Sequence, residues 1–151
     1  MKKLWFWLAL ALCPLCPCGD RIQRSATAAP RAELHRSPID VVVLPDGCRA
    51  LTANHTSDSV SLIDLAQGKV LAELSCGRKP AGVACSADGR RAAVSNLWSG
   101  TLTLVEVKDA ALERAGEVQA GSQPRGLVFA PDGNSLYVAL AGANEVVQID
   151  W

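Results

Sequence analysis

The side chains of this sequence that are able to do acid–base or metal chemistry are few and far apart. His35 and His55 are the two histidines, and neither stands at a spacing typical of a metal or acid–base site. A carboxylate cluster is one interpretation of three aspartates, Asp46, Asp88 and Asp132. Each of them directly precedes a glycine, however, and an aspartate in that position bonds its own backbone in a tight turn. We therefore expect no catalytic residue, no metal and no cofactor in this chain, while whether it belongs to an enzyme stays open.

The six cysteines form two groups. Cys13, Cys16 and Cys18 lie within or just after an apolar N-terminal segment, so we interpret them as part of an export signal rather than as a metal site. Lipid attachment at one of them is the alternative. The other three are Cys48, Cys76 and Cys85. Their odd number excludes complete internal pairing, so we expect small packing residues, with one bridge between two of them left open.

Five residues on expected loops or strand ends are candidates for contact with a ligand or partner. Asn54 and Asn96 recur at one position of a repeat; they are interpreted as caps of the following loop, and a shared ligand-binding face is the alternative. His55 follows Asn54 and is either a solvated loop residue or a ligand contact. Trp98 either anchors a partner or covers the adjoining structure. Arg125 is the main charged residue on an expected inner strand.

Composition favours an ordinary globular protein. The 151 residues are 49% hydrophobic, and 15 basic side chains balance 15 acidic ones. The basic residues are scattered, without a cluster that would attract a polyanion. We therefore expect no nucleic acid partner.

The N-terminus is typical of an exported protein. Two lysines follow Met1, an apolar run covers residues 4–12, and Pro14 ends it. A spanning helix needs about 20 apolar residues, so we expect no stable membrane span in the mature chain. Residues 1–29 are predicted to be a signal peptide and linker, and the protein to be periplasmic, at the cell surface or secreted.

The strongest pattern is an internal repeat. Pro38, Pro80 and Pro124 open three similar segments, which step by 42 and then by 44 residues. The Asp-Gly pairs keep the same steps. A period of this size is shared by propeller blades and some paired-helix repeats, so the local pattern has to decide between them.

That local pattern indicates strands. Short runs rich in Val, Ile, Leu and Thr alternate with polar residues, and each Asp-Gly supplies the positive φ of a tight hairpin. In the second unit we predict four antiparallel strands near 81–86, 91–96, 101–107 and 112–119. The fold is therefore predicted to be an all-β propeller of four-stranded blades over residues 30–151, with blades near 38–79, 80–123 and 124–151.

Residues in the second strand of each unit resemble a known repeat family. Leu51-Thr52-Ala53-Asn54, Ala93-Val94-Ser95-Asn96 and Tyr137-Val138-Ala139-Leu140 are similar to the Tyr-Val-Thr-Asn signature of YVTN-type propellers, which include surface-layer proteins. Leu140 departs from it. The resemblance implies about seven blades, a location outside the cytoplasm, a binding role and, in some members, an attached haem domain.

Three blades do not close a ring, since propellers have about four to eight. We expect the sequence to be an N-terminal fragment, with the remaining blades in missing sequence; the alternative is a ring completed by other copies. The predicted function is that of a binding or scaffold module for a protein, carbohydrate or small-molecule ligand, held by loops at one propeller end. The alternative function is the propeller portion of a larger redox protein with a cytochrome c-type haem. The ligand and the total blade number are not determined by these residues.

Overall fold

In the computed structural model of the protein, residues 36–151 are described, and they form antiparallel β-sheets. The predicted signal peptide, Cys13, Cys16, Cys18 and His35 lie outside these residues. No helix within 36–151 is long and apolar enough to cross a membrane. The strands, in chain order, are β1 (Pro38–Val43), β2 (Arg49–Asn54), β3 (Ser59–Asp64), β4 (Lys69–Ser75), β5 (Pro80–Cys85), β6 (Arg91–Asn96), β7 (Thr101–Val107), β8 (Leu112–Gln119), β9 (Pro124–Phe129), β10 (Ser135–Leu140) and β11 (Glu145–Asp150).

The strands form three separate meanders. Their orders are β1-β2-β3-β4, β5-β6-β7-β8 and β9-β10-β11, and we call these sheets blades 1, 2 and 3. The first strands contact in succession, β1 with β5 and β5 with β9, so they lie nearest the propeller axis. The predicted fold class, an incomplete propeller of antiparallel blades, is confirmed.

Blade 2 lies between blades 1 and 3. Because side chains alternate along a strand, its residues are buried on both faces of the sheet. Ala92 and Val94 of β6 pack toward blade 1, together with Leu51 and Val60. Ala93, between them in sequence, packs toward blade 3 in a second apolar cluster. Every residue of β6 after the first is buried. A strand covered on both faces reads as a continuous apolar run, which explains the weak alternation of this segment in the sequence.

The outer face of blade 3 lacks such a cover among the described residues. Tyr137 and Val146 are 42% and 70% exposed. Their counterparts one repeat earlier, Ala93 and Leu102, are fully buried against blade 3. The face of blade 3 therefore has the apolar pattern of a surface that receives another sheet.

Candidate functional site at one end of the propeller

The antiparallel meanders give the molecule two different ends. One end, here called the turn end, carries the turns at 55–58, 97–100 and 141–144 and the blade connections at 76–79 and 120–123. The opposite end, called the Asp-Gly end, carries the hairpins that contain Asp46, Asp88 and Asp132.

At the Asp-Gly end the aspartates have the turn role that the sequence predicts. Asp46 Oδ1 accepts hydrogen bonds from the amides of Cys48 and Arg49, at 2.8 and 3.1 Å. The Ser86 hydroxyl and then the Arg90 amide lower the pKa of Asp88 by bonding its carboxylate. These carboxylates lie in separate hairpins, each bonded within its own turn, so they do not form an acid–base pair.

At the turn end each blade begins in the same way. The residue before the opening proline has a positive φ: 47° at Ser37, 55° at Lys79 and 52° at Gln123. This conformation is unfavourable for residues other than glycine. At each junction two backbone amides of the adjoining turn donate hydrogen bonds to the carbonyls of the two residues before the opening proline, at 2.9–3.2 Å. The donors and acceptors are, in order, His55 to Ser37, Thr56 to Arg36, Leu97 to Lys79, Trp98 to Arg78, Ala141 to Gln123 and Gly142 to Ser122. The turn end is therefore held by backbone hydrogen bonds, so its side chains are able to differ from one blade to the next.

The structure places Asn54 and Asn96 inside the blades, where they are 1% and 0% exposed. Asn54 Nδ2 donates to the hydroxyls of Ser59 and Ser61, at 3.1 and 2.8 Å. Ser59 in turn donates to Glu73 at 2.7 Å. This chain of hydrogen bonds ties β2, β3 and β4 together, while the interpretation of Asn54 as a cap of the following loop stays a prediction.

Blade 2 repeats the same chain of hydrogen bonds one unit later. Asn96 Nδ2 donates to Thr101 and Thr103, at 3.1 and 2.9 Å, and Thr101 donates to Glu117 at 2.7 Å. The Asn54 carbonyl accepts from Thr52, but Val94 stands at the corresponding place in blade 2. Asn96 Oδ1 consequently has no hydrogen-bond partner. In blade 3 Leu140 replaces the asparagine and is buried with apolar neighbours.

His55 bridges two blades. Its Nδ1 lies 3.0 Å from the carbonyl oxygen of Pro80, the first residue of β5. Because a carbonyl only accepts, we assign the proton to Nδ1, which leaves Nε2 of the neutral ring as an acceptor. The ring is thereby oriented at the start of an inner strand, with one nitrogen available to a ligand.

Trp98 and Arg125 are exposed at the same end. Trp98 is 66% accessible, and Arg125 is an exposed residue at the start of β9. The Arg78 guanidinium and the Lys79 ammonium each lie 5.8 Å from the centre of the Trp98 ring. The fold thus brings His55, Trp98 and Arg125 to one end and withdraws Asn54 and Asn96 into the sheets. That any of the five contacts a ligand stays a prediction.

Sequence reasoning missed Arg78 and Lys79. Their signal was available, because two cations stand directly before the proline that opens the second blade. Within residues 36–151 no group of three or more His, Cys, Asp or Glu side chains is placed to hold a metal ion. What this end offers chemically is exposed aromatic surface, cationic groups and one imidazole nitrogen.

Comparison with known proteins gives a consistent fold and several different activities. A Pseudomonas aeruginosa protein described as "Dihydro-heme d1 dehydrogenase" is 31% identical over 137 residues, which are 88% of this chain and 27% of that protein. The structure of "Dihydro-heme d1 dehydrogenase NirN in complex with DHE" has a TM-score of 0.58 and 29% identity over 74% of this chain and 25% of its own. "Kuenenia stuttgartiensis Hydrazine Synthase" has a TM-score of 0.71 and 26% identity, over 87% of this chain and 36% of that chain.

The chain therefore spans about a quarter of the length of the curated relative. Because proteins with this fold have several different activities, the fold alone does not assign one of them to this chain. The closer resemblance to YVTN-type repeats stays a prediction. The family model described as "Lactonase, 7-bladed beta-propeller" matches residues 68–150. On this match, which covers more than half of its residues and all of blades 2 and 3, the chain belongs to the seven-bladed lactonase-type β-propeller family.

Proposed function

We propose that this chain is part of a binding module that acts outside the cytoplasm and holds its ligand at the turn end. The observation that carries the proposal is the grouping of two cations with an exposed ring: Arg78 and Lys79 each lie 5.8 Å from the centre of the Trp98 ring, which is 66% exposed. Arg78, Lys79 and Arg125 make no ion pair within the part of the chain that the structure describes. Cations that the fold leaves without a carboxylate are free to meet one on a ligand.

At the Asp-Gly end Lys69, Arg90 and Arg91 are likewise in no ion pair within residues 36–151, but the fold holds two other cations there, Arg49 and Lys108. Arg49 pairs with Asp46 at 2.6 Å and also donates to the carbonyls of Lys108 and Asp109. Lys108 pairs with Glu106 at 2.9 Å and approaches Glu113. These cations are occupied in joining blades 1 and 2 and in closing a hairpin, so they support structure and not recognition.

Backbone amide NMR of the isotopically labelled chain tests the proposed location of the ligand. The chain is titrated with a panel of acidic and neutral oligosaccharides, short peptides and a haem. We expect shift changes confined to 55–58, 76–79, 97–100 and 120–125. Changes concentrated at 44–48, 86–91 and 130–134 would place the ligand at the opposite end and refute the proposal.

Export is the second part of the proposal and rests on residues 1–29. Fused to an alkaline phosphatase that is active only after export, these residues should give phosphatase activity. Replacing Leu8 and Leu10 by arginine breaks the apolar run and serves as the matched control. Equal activity of both fusions, or none from the native segment, would contradict export.

A haem-related function is the second candidate, because two of the similar proteins named above are described as dihydro-heme d1 dehydrogenases. The geometry of His55 fits such a group: its Nδ1 bonds a backbone carbonyl, which orients Nε2 as a metal ligand. His55 would supply that nitrogen, and Arg125 would pair with a carboxylate of the macrocycle. The bound group itself would supply redox chemistry.

Absorbance spectroscopy tests this candidate. Dihydro-haem d1 is titrated into the wild-type chain, into His55→Ala and into Arg125→Gln. We expect a shift of the main absorption band that is lost in His55→Ala, and weaker binding in Arg125→Gln with the same final spectrum. Identical spectra of the wild type and His55→Ala would remove the haem candidate without touching the location of the binding end.

A further inference from the structure

A hollow of about 550 Å³ lies beside Trp98 at the turn end. One wall is the turn of blade 2 at 97–100, and the other is the connection at 121–123 that leads into blade 3. Apart from the indole, its side-chain lining is mostly hydroxyl and amide groups, from Ser99, Gln119, Ser122 and Gln123. The hollow therefore combines one flat apolar wall with several groups that are able to donate and accept hydrogen bonds.

The indole of Trp98 is not needed to build the blade. The backbone hydrogen bond that Trp98 makes to the Arg78 carbonyl, at 3.1 Å, is made in the other two blades by Thr56 and Gly142. The repeat thus tolerates a small side chain, or none, at this position. Since the ring is 66% exposed, burial in the core does not explain why a tryptophan stands at this position either.

Among the three described blades, only blade 2 has two adjacent cations at its opening. Arg78 and Lys79 correspond to Arg36 and Ser37 in blade 1 and to Ser122 and Gln123 in blade 3. Arg36 bonds Glu73 at 2.8 Å, whereas neither Arg78 nor Lys79 has an ion-pair partner among residues 36–151. Both cations lie over the indole ring, 5.8 Å from its centre, and the Trp98 side chain is still 66% exposed.

We propose that the Trp98 hollow binds an anionic saccharide, namely a uronate-containing oligosaccharide. This inference deepens the proposed binding function and rests on it. A pyranose ring offers C–H groups to an aromatic face and hydroxyls to the surrounding amides and hydroxyls. Its carboxylate would meet Arg78, whose planar guanidinium matches a carboxylate, and Lys79.

A single-stranded nucleic acid is the competing class of ligand, since bases also stack on aromatic rings. Such binding relies on a positively charged groove that follows several phosphates. This chain has formal net charge zero, and the two cations at the Trp98 ring stand next to each other in sequence. One carboxylate held at one place fits this pair better than an extended polyanion.

Calorimetric titration of the full chain tests the inference. The probe is a disaccharide that carries a single galacturonate, and the matched control ligand is its methyl ester, which has the same rings and no charge. We expect the acid to bind more tightly than the ester, with an affinity that falls as salt is added. Trp98→Ala should weaken binding by at least about tenfold, with Trp98→Phe between the two.

The double variant Arg78→Gln/Lys79→Gln should lose the preference for the acid over the ester. Tyr137→Ala removes an exposed aromatic from the face of blade 3 and should leave both affinities unchanged. Equal affinity for acid and ester, equal binding by Trp98→Ala, or tighter binding of a thymidine hexanucleotide each overturns the inference. If the saccharide does not bind while another ligand changes the NMR shifts of the turn-end amides, the proposed binding function is supported and only the saccharide assignment is refuted.

Discussion

The carboxamide of Asn96 packs against the Cα of Gly77, which leaves no room for a side chain at position 77. A Cβ on Gly77 would lie 2.6 Å from Asn96 Nδ2 and 2.5 Å from Ser99 Oγ. The blade connection and the end of β6 therefore depend on each other. This contact also explains why a glycine precedes Arg78 and Lys79 at the turn end.

Gly77→Ala should lower the free energy of unfolding by about 1–3 kcal/mol, because the buried amide has to move or lose its hydrogen bonds. Urea unfolding followed by circular dichroism measures the change. Gly126→Ala is the matched control, since nothing lies within 4 Å of the added atom, and it should change stability by less than about 0.5 kcal/mol. Equal effects of the two substitutions would show that the contact with Asn96 is unimportant.

Asn96→Leu should be destabilising by about 1–3 kcal/mol, because it deprives the buried Thr103 hydroxyl of its donor. Adding Thr103→Val should recover part of the loss. That pair reproduces blade 3, where Leu140 and Val147 stand at these positions. A double-mutant cycle measured by urea unfolding gives the coupling. Strictly additive losses would mean that the two side chains act independently.

Glu73 should make stability depend on acid pH. The hydrogen bonds from Arg36 hold the pKa of Glu73 below its ordinary value of 4.5, against a smaller opposing effect of burial. A pKa that is lower in the folded chain adds stability above the unfolded value, and this stability is lost as pH falls through the folded value. Unfolding free energies from about pH 6 to about pH 2.5 should therefore fall less in Glu73→Gln than in wild type. Glu145→Gln, at a carboxylate without an ion pair in the described chain, is the control and should follow wild type.

Cys76 should resist alkylation in the folded protein. Burial raises the pKa of its thiol to about 12, so the reactive thiolate is scarce near pH 8. Cys48, Cys76 and Cys85 form no disulfide with one another. Mass spectrometry after iodoacetamide treatment should find Cys76 unmodified in the native chain and modified in urea. Equally fast modification in both states would contradict the buried position of this thiol.

The strands were predictable because their signals are local. In blade 2 the bounds of β6, β7 and β8 are those expected from residues 91–96, 101–107 and 112–119, and β5 begins one residue earlier than expected. Alternation along a strand and the positive φ that Asp-Gly supplies depend on neighbouring residues alone. The three-stranded third sheet also follows from that pattern.

The positions of the candidate side chains were less predictable. Asn54 and Asn96 stand at strand ends next to loops, and only the packed sheets show that they point inward to hydroxyls on β3 and β7. The bonding of His55 to Pro80 and the approach of Arg78 and Lys79 to Trp98 cross from one element to another. These distances cannot be predicted from the spacing of residues in the sequence.

The sequence by itself determined the repeat, the strands, the hairpins and hence the propeller class, because each follows from periodicity and turn chemistry within a few residues. The tertiary structure alone decided which recurring residues are core and which are surface. The physical reason is that a side chain at a strand end is buried or exposed according to the neighbouring blade. That packing joins residues about forty positions apart, as in the apolar cluster that contains both Leu51 and Val94.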